Sequence, residues 1–517
     1  MSGSQVNQPD VSITLANADR EVSNVAQKVL LVGQMLAAGT ASDGVLETNI
    51  ASTGNPENAL FGRSSMLAAM VRAFKLINPL VQVDALPLDD AAGTPRVVFV
   101  TFVGTSTEAG TLTINAGSET LHSIDVAIPI STAAAAIPAL CVTAINLDLD
   151  CPFTAADETG GVLSLTADND GVVANDLGVE TSGTIAGITG MAVTEDTAGA
   201  TDPTLTGILD VATDRYQAVV WPYAALTVLT TYLDARFNPA SVIMDGVGFI
   251  AERDSHSDHL TRLGLLNSES IVIFCDKEES ETNYLGPSQN EPTYSKAAMF
   301  AAVRSLRLTD GASIARYLTS SASLDQFGGA ALASLPYFNT PMPDMPVIAS
   351  GRGWTNTEVE QLLAVGGSVM GVNPAGTSAL IGEVKTTYTE DDGAQADPTF
   401  GFLNYVDTAS GVREYFFNNL KARFAQSRLT EGAVSRGRDM ANATIIRAYC
   451  EKLYQDLAGA SYVLTQDGET AFKFYKTNLV ITLTLVTGTV AIQMEVPIVT
   501  QLRTITATIR IAFSTEG

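Results

Sequence analysis

The chain has little charge, and above all little positive charge. Its 517 residues include 29 lysines and arginines against 56 aspartates and glutamates, so the formal net charge is −27. Proteins that bind nucleic acid through phosphate contacts need an excess of Lys and Arg, and this balance excludes a general nucleic-acid binder. Charged residues make up 16% of the chain, against roughly 25% in ordinary soluble proteins. So low a fraction, with 46% apolar residues, favours a surface partly buried against other subunits.

Cysteine and long apolar runs are also scarce. The four cysteines, Cys141, Cys151, Cys275 and Cys450, are too scattered for a disulfide framework or a zinc site, which fits synthesis in a reducing cytosol. The first residues have neither a basic start nor an apolar run, so we expect no secretory signal. Threonines, Gly488 and Pro497 interrupt the apolar run over residues 479–499, which predicts a pair of strands rather than a membrane helix.

Common catalytic motifs are missing as well. The sequence has no phosphate-binding GxxxxGK[ST] loop, no GxGxxG, no HExxH and no GxSxG. His256 and His259 lie three residues apart beside Asp254 and Asp258, a spacing that could share a metal ion or a proton. The same segment is typical of an exposed helix start with Ser255 or Ser257 as cap, which we favour. We therefore assign no catalytic, cofactor-binding or metal-binding residue, expect no cofactor, and do not favour an enzyme.

Residues 93–205 differ from the rest of the chain. They contain 14 acidic residues and one base, Arg96, and they lack Tyr and Trp. Short runs that favour strands, rich in Thr, Gly and Ala, predict a separate, solvent-facing, all-β domain inserted into another fold. The turn from Asp168 to Gly171 lacks the ligand spacing of a calcium loop, so we interpret it as an acidic β-turn.

The flanking segments alternate between strand and helix patterns, which predicts an α/β sheet with helices on its faces. We predict a loop at 276–290, strands at 27–33, 81–86, 216–221, 247–251 and 270–274, and helices at 64–77, 224–237, 256–265, 295–308 and 355–365. The fold class is thus a multidomain α+β and α/β protein. We divide it into an N-terminal arm (1–22), two core parts (23–92 and 206–400), the insert (93–205) and a C-terminal domain (401–517).

The C-terminal domain has a local excess of positive charge. Residues 413–457 predict two helices joined near 430–432, and the bases there outnumber the acids; we single out Lys421, Arg423, Arg428, Arg436, Arg438, Arg447 and Lys452. Strands are predicted after them, at 472–486, 489–496 and 503–513.

Both ends of the chain carry an alternating apolar pattern. It comprises Val11, Ile13 and Leu15 in the N-terminal arm and Ile505, Ala507, Ile509, Ile511 and Phe513 near the C-terminus. Unpaired strands of this kind are exposed edges. They either complete the chain's own sheet or are donated to neighbouring subunits by β-augmentation.

Several segments, in this order, resemble the tail sheath proteins of contractile bacteriophages, particularly the Mu-like group. They are residues 27–34, 61–70, 78–79, 83–88, 351–363, 386–388 and 415–464, which cover most of the chain outside the insert. The resemblance implies a structural subunit of the virion that stacks in six-fold rings as a helical cylinder around the tail tube. That cylinder contracts to drive the tube through the host envelope.

The resemblance also implies partners and a place. The subunit would bind other copies of itself, the tail tube protein, and baseplate and terminator proteins, with no direct nucleic acid and no membrane insertion. It would be part of the phage tail, assembled in the host cytoplasm, with terminal arms exchanged between subunits and the basic residues facing the tube. The alternatives are the sheath of a pyocin or secretion system, or a static virion shell or decorating protein.

Overall fold

The computed structural model describes residues 27–90, 93–118, 121–237, 244–318, 337–373, 375–391, 393–432, 440–459 and 468–499. Of 309–318, 459 and 468–469 it describes the backbone alone. The predicted arm residues Val11, Ile13, Leu15, Ile505, Ala507, Ile509, Ile511 and Phe513 lie outside these ranges, as do Arg436 and Arg438.

The described elements fall into four consecutive groups. The first is β1 (Lys28–Gln34), α1 (Pro56–Phe61), α2 (Met66–Ile77) and β2 (Gln82–Leu88). The insert has β3 (Pro95–Gly104), β4 (Gly110–Gly117), β5 (Ser123–Ile128), α3 (Ile137–Ile145), β6 (Phe153–Glu158), β7 (Val162–Asp170), β8 (Gly178–Ser182) and β9 (Ile188–Thr197).

The second part of the core follows the insert. It has β10 (Ala218–Val220), α4 (Thr227–Phe237), β11 (Val247–Asp254), α5 (His256–Leu263), β12 (Ile271–Glu281), β13 (Tyr284–Pro287), α6 (Thr293–Leu318), α7 (Asn356–Ala364), β14 (Gly367–Ser368), β15 (Met370–Val372) and β16 (Ala379–Ile381). The C-terminal group is α8 (Leu403–Phe424), β17 (Arg428–Leu429), β18 (Met440–Ala441), α9 (Ala443–Gly459), α10 (Gly468–Asn478), β19 (Val480–Thr484) and β20 (Thr489–Gln493).

The core is a parallel sheet in the order β2-β1-β10-β11-β12, which confirms the predicted α/β alternation. Its strands are apolar on both sides because helices cover both faces. On one face, a Cβ atom placed at Gly33 would lie 3.1 Å from Met70 Sδ, so α2 packs directly on β1. On the same face, the rings of Phe274 and Phe300 stack with centroids 3.3 Å apart, which places α6 over β12.

The opposite face of the sheet carries α4. A Cβ atom at Gly248 would lie 2.8 Å from Leu229 and 3.1 Å from Leu233, so the lack of a side chain lets this helix approach β11 closely. The order and the two helical layers are those of a doubly wound sheet, with the acidic insert between β2 and β10 in place of a crossover helix.

The insert is neither structurally separate nor all β, which corrects two expectations. It contains helix α3, and its strand β8 pairs with β13 of the core, with Tyr284 opposite Glu180 and Leu285 opposite Val179. The core sheet therefore continues through β13 into β8, β4 and β5, while β6, β7, β3 and β9 form a second antiparallel sheet.

The predicted loop at 276–290 is wrong for a related reason. β12 continues to Glu281 and turns back into β13 as an antiparallel hairpin, with Glu279 opposite Gly286. The charged side chains that suggested a loop belong to the second half of β12, which extends beyond the apolar core.

Helix α8 connects two hydrophobic clusters. Leu403 and Val406 belong to the large core, whereas Tyr415 packs in a second cluster with Cys450 and Tyr475. The two predicted helices of 413–457 are confirmed as α8 and α9.

The strand predicted at 472–486 is wrong in its first half, where α10 lies. Tyr475 on α10 stacks on Tyr454 of α9, with ring centroids 4.3 Å apart, and Phe472 one helical turn before it also stacks on Tyr454. These aromatic contacts stabilise a helix in a segment whose residue types alone favour a strand. The strand pair predicted within 479–499 is confirmed as β19 and β20, and no helix in the described ranges is long and apolar enough to cross a membrane.

Candidate functional site

The first candidate site is the crevice at the carboxyl ends of β1 and β10, because doubly wound sheets bind ligands where the strand order reverses. Gln34, the last residue of β1, is fully buried there. Its side-chain amide donates one hydrogen bond to Asp90 Oδ1 and one to the main-chain carbonyl of Asp170, each at 2.9 Å. Asp90 follows β2 and Asp170 ends β7, so this contact joins the core to the insert.

Further hydrogen bonds from the insert fill the same crevice. The Asn169 amide donates to Asp90 Oδ1 at 3.2 Å and its carbonyl accepts from the Met66 main chain at 2.8 Å, where α2 begins. The Asp170 main-chain N–H also donates to Asp90, at 3.0 Å. Burial raises the pKa of the Asp90 carboxyl to about 6. At the position where other doubly wound sheets bind ligands, hydrogen bonds in this chain therefore join the insert to the core.

The histidine pair at the start of α5 is the second candidate. The predicted cap is confirmed, because the Ser255 side chain accepts a hydrogen bond from the Asp258 main chain. His259, however, is not on the surface: it is 1% exposed, with Nε2 3.0 Å from the main-chain oxygen of Asp276 and its ring edge against Trp354. Burial lowers its pKa.

The histidine contacts identify a packing role. His256 also lies against Trp354, with ring centroids 5.9 Å apart. In the part of the chain that the structure describes, no group of three or more His, Cys, Asp or Glu residues is placed to hold a metal ion. The prediction of an exposed pair is thus corrected for His259, which is a core residue.

The basic residues of the C-terminal group do not all lie on the surface as free charges. Lys421, Arg423, Arg428 and Lys452 are exposed. Arg447 instead donates to the main-chain carbonyls of Lys476, at 3.2 Å, and Leu479, at 2.6 Å, and so caps the end of α10. Lys421 and Arg423 lie in the last turn of α8, where the helix dipole favours positive charge.

The β19–β20 hairpin is the candidate interface that the structure adds. It is a sheet of two strands among the described residues, with Ile481 opposite Ile492 and Leu483 opposite Val490. These four side chains pack on the second hydrophobic cluster, while the alternate residues face outward. At the tip, Val486 is 98% exposed. The hairpin thus has a buried face and two strand edges to which further strands could pair.

Comparison with known proteins gives one curated relative. The Mu-like prophage FluMu tail sheath protein of Haemophilus influenzae is 25% identical over 452 residues, which cover 84% of this chain and 84% of that protein. No protein-family model matches the chain.

Two solved structures of sheath tail proteins are also similar. One, from Desulfitobacterium hafniense, is 12% identical with a TM-score of 0.43, over 91% of this chain and 93% of that chain. The other, from Listeria innocua, is 10% identical with a TM-score of 0.45, over 92% of each chain. The match to the Haemophilus influenzae protein confirms the resemblance in the sequence: along most of its length this chain is similar to a Mu-like tail sheath protein.

Proposed function

We propose that the chain is the structural subunit of a contractile phage tail sheath, which polymerises as a six-fold helical cylinder around the tail tube and shortens to drive the tube through the host envelope. The observation that carries the proposal is the similarity to a tail sheath protein over 84% of both chains. A sheath of a related injection device is the nearest alternative, and a static shell is the next.

The hairpin β19–β20 supports assembly by strand exchange. Its inner face is anchored on the second cluster, so its edges are held in a fixed position for a third or fourth strand. The alternating arm residues at the two ends of the chain have the pattern such a strand needs. A donated strand of about ten residues contributes several main-chain hydrogen bonds, at a net value of roughly 1 kcal/mol each, so neighbouring subunits stay linked while their bodies rotate.

Charge supports an orientation of the subunit. In this proposal, exposed bases such as Lys421, Arg423 and Lys452 face the tube and the acidic insert faces outward. The partners are other copies of the chain, the tube protein, and baseplate and terminator proteins, in a virion tail assembled in the host cytoplasm. The proposed role is structural and needs no catalytic group.

Electron microscopy of tails before and after triggering tests the contractile role. Cylinders containing this chain should shorten and widen on triggering, because subunits joined by strands can exchange their other contacts. Cylinders of one fixed length would identify a static shell.

A further inference from the structure

A cavity separate from the crevice lies between the insert and the α2–α6 layer, with a volume of about 260 Å³. It is formed by Ala69, Ala73 and Leu76 of α2, by Ser118, Leu121 and His122 of the insert, and by Glu291, Tyr294 and Met299 at the start of α6. The apolar side chains give it walls that suit an aliphatic chain, and the volume is enough for a ligand of several carbon atoms.

One carboxylate on the wall has no cation bonded to it. Glu291 is 4% exposed, and Ser118 Oγ donates to its Oε2 at 2.6 Å. The nearby Lys296 ammonium is instead bonded to Asp276 and to the main-chain oxygen of Gln289. Burial raises the pKa of Glu291 to about 7, because the hydrogen bond from Ser118 and the charge of Lys296 lower this pKa by less than burial raises it. A buried carboxylate in this state gains from a cation that enters the cavity.

The other charged groups around the cavity are largely paired with one another. His122 Nδ1 lies 2.7 Å from Asp148 Oδ2. Asp150 accepts from Arg63 at 2.9 Å and lies 3.6 Å from Arg72. Asp344 also lines the cavity. The lining therefore holds four carboxyl groups and one guanidinium beside a histidine, a balance that repels anions and attracts cations.

We propose that this cavity binds a primary ammonium group on an aliphatic stem. The ammonium lies beside Glu291, and the stem lies between α2 and Leu121 of the insert. Such a group comes either from a free alkylamine or from a lysine side chain of a second copy of the chain. Because insert and core both line the cavity, an occupant fixes their contact. This chemistry does not depend on the proposed sheath function.

Calorimetric titration of the purified full chain with butylammonium tests the proposal, with 1-butanol as the uncharged probe of the same stem. We expect one site per chain at pH 8, with butanol at least tenfold weaker. Glu291→Gln should weaken butylammonium at least tenfold, whereas Glu360→Gln, an exposed glutamate of α7, should leave it unchanged. Equal binding of the two probes, or full binding by the Glu291→Gln variant, would overturn the proposal.

Two further measurements keep the test decisive if the Glu291→Gln variant does not fold. Ala73→Phe fills the cavity without altering charge and should abolish binding. With a carboxyl pKa of about 7, butylammonium affinity should rise about tenfold from pH 6 to pH 8, since Glu291 must ionise. Retained binding by the Ala73→Phe variant, or an affinity independent of pH, would contradict the assignment.

Comparing butylammonium binding by assembled and unassembled chains distinguishes the two sources of the ammonium group. If a neighbour's lysine occupies the cavity, assembled chains should lose butylammonium binding that unassembled chains show. If the ligand is free, both forms should bind alike.

Discussion

Arg304 on α6 and Asp407 on α8 form a buried ion pair, with Nη2 and Nε of the arginine 2.7 and 3.1 Å from Oδ1 of the aspartate. The Tyr337 hydroxyl donates to the other carboxylate oxygen at 2.6 Å. The pair lies where the C-terminal group leaves the α/β core, and Asp407 is 3% exposed. It therefore fixes the direction of α8 relative to the core, and with it the position of the second hydrophobic cluster.

Asp407→Asn should destabilise the joint between the core and α8. Removing one partner leaves the Arg304 guanidinium buried without its counter-ion, which costs about 3–5 kcal/mol. Urea denaturation of unassembled chain measures the loss. Asp214→Asn is the matched control, because Asp214 is half exposed in its pair with Lys28 and should cost less than about 1 kcal/mol. Equal losses for the two variants would show that the buried pair is unimportant.

The contribution of Asp90 and Glu291 to the free energy of unfolding should fall as the pH rises from 5 to 8. Burial raises the pKa of Asp90 to about 6 and that of Glu291 to about 7 in the folded chain. The folded state therefore holds these protons more tightly than the unfolded state, and this contribution is present below the unfolded pKa values, near 4, and lost as the pH passes through 6 to 7.

Denaturation of the Glu291→Gln variant at pH 5 and pH 8 isolates the contribution of Glu291 to the free energy of unfolding. Glutamine cannot ionise, so from pH 5 to pH 8 the variant should gain stability relative to the unaltered chain, on the order of 1–3 kcal/mol. Glu360→Gln, on the exposed side of α7, should show no such gain. If the pH dependence of the Glu291→Gln variant equals that of the unaltered chain, this carboxyl does not titrate as described.

Polar changes on one face of the C-terminal arm should block polymerisation. Ile505→Asp with Ile509→Asp places charge on the apolar face that a strand donated to the β19–β20 hairpin would bury. Thr504→Asp with Thr508→Asp adds the same charge to the opposite face. Sedimentation should find the first variant folded and unassembled and the second one assembled; the reverse, or no difference, would refute strand donation.

Charge reversal on the exposed turn of α8 should weaken binding to tail tubes. Lys421→Glu and Arg423→Glu remove exposed positive charge, and the effect should be greatest at low salt, because exposed contacts are screened. Co-sedimentation with purified tubes measures it, with Lys28→Glu on the core as the control. Tube binding that is unchanged and independent of salt would remove the electrostatic role.

Local signals in the sequence were sufficient for elements with their own caps and periodicity. The helix predicted at 355–365 is confirmed as α7, and its own residues cap it: the Thr355 side chain accepts from the Glu358 main chain, and the Glu358 side chain accepts from the Thr355 main chain. The α/β alternation follows from apolar runs and amphipathic helices in the same way. These features depend on residues within one turn or one strand of each other.

Long-range contacts could not be inferred in this way. The pairing of β8 with β13 joins residues more than one hundred positions apart, and it requires a close approach, since a Cβ atom at Gly286 would lie 2.5 Å from the Gly178 Cα. Nothing near either glycine marks the other as its neighbour. The cavity at Glu291 is similar: its lining comes from segments that are far apart in the sequence, and a single glutamate in a polar stretch gives no signal of burial.

A sheath subunit must assemble with copies of itself, and the purified chain can be tested for this property. Negative-stain electron microscopy of the concentrated chain should show rings or striated cylinders with a central channel, because we propose that the weakly charged surface and the strand edges make contacts between copies. A uniform population of isolated single chains, under conditions where they remain folded, would contradict it.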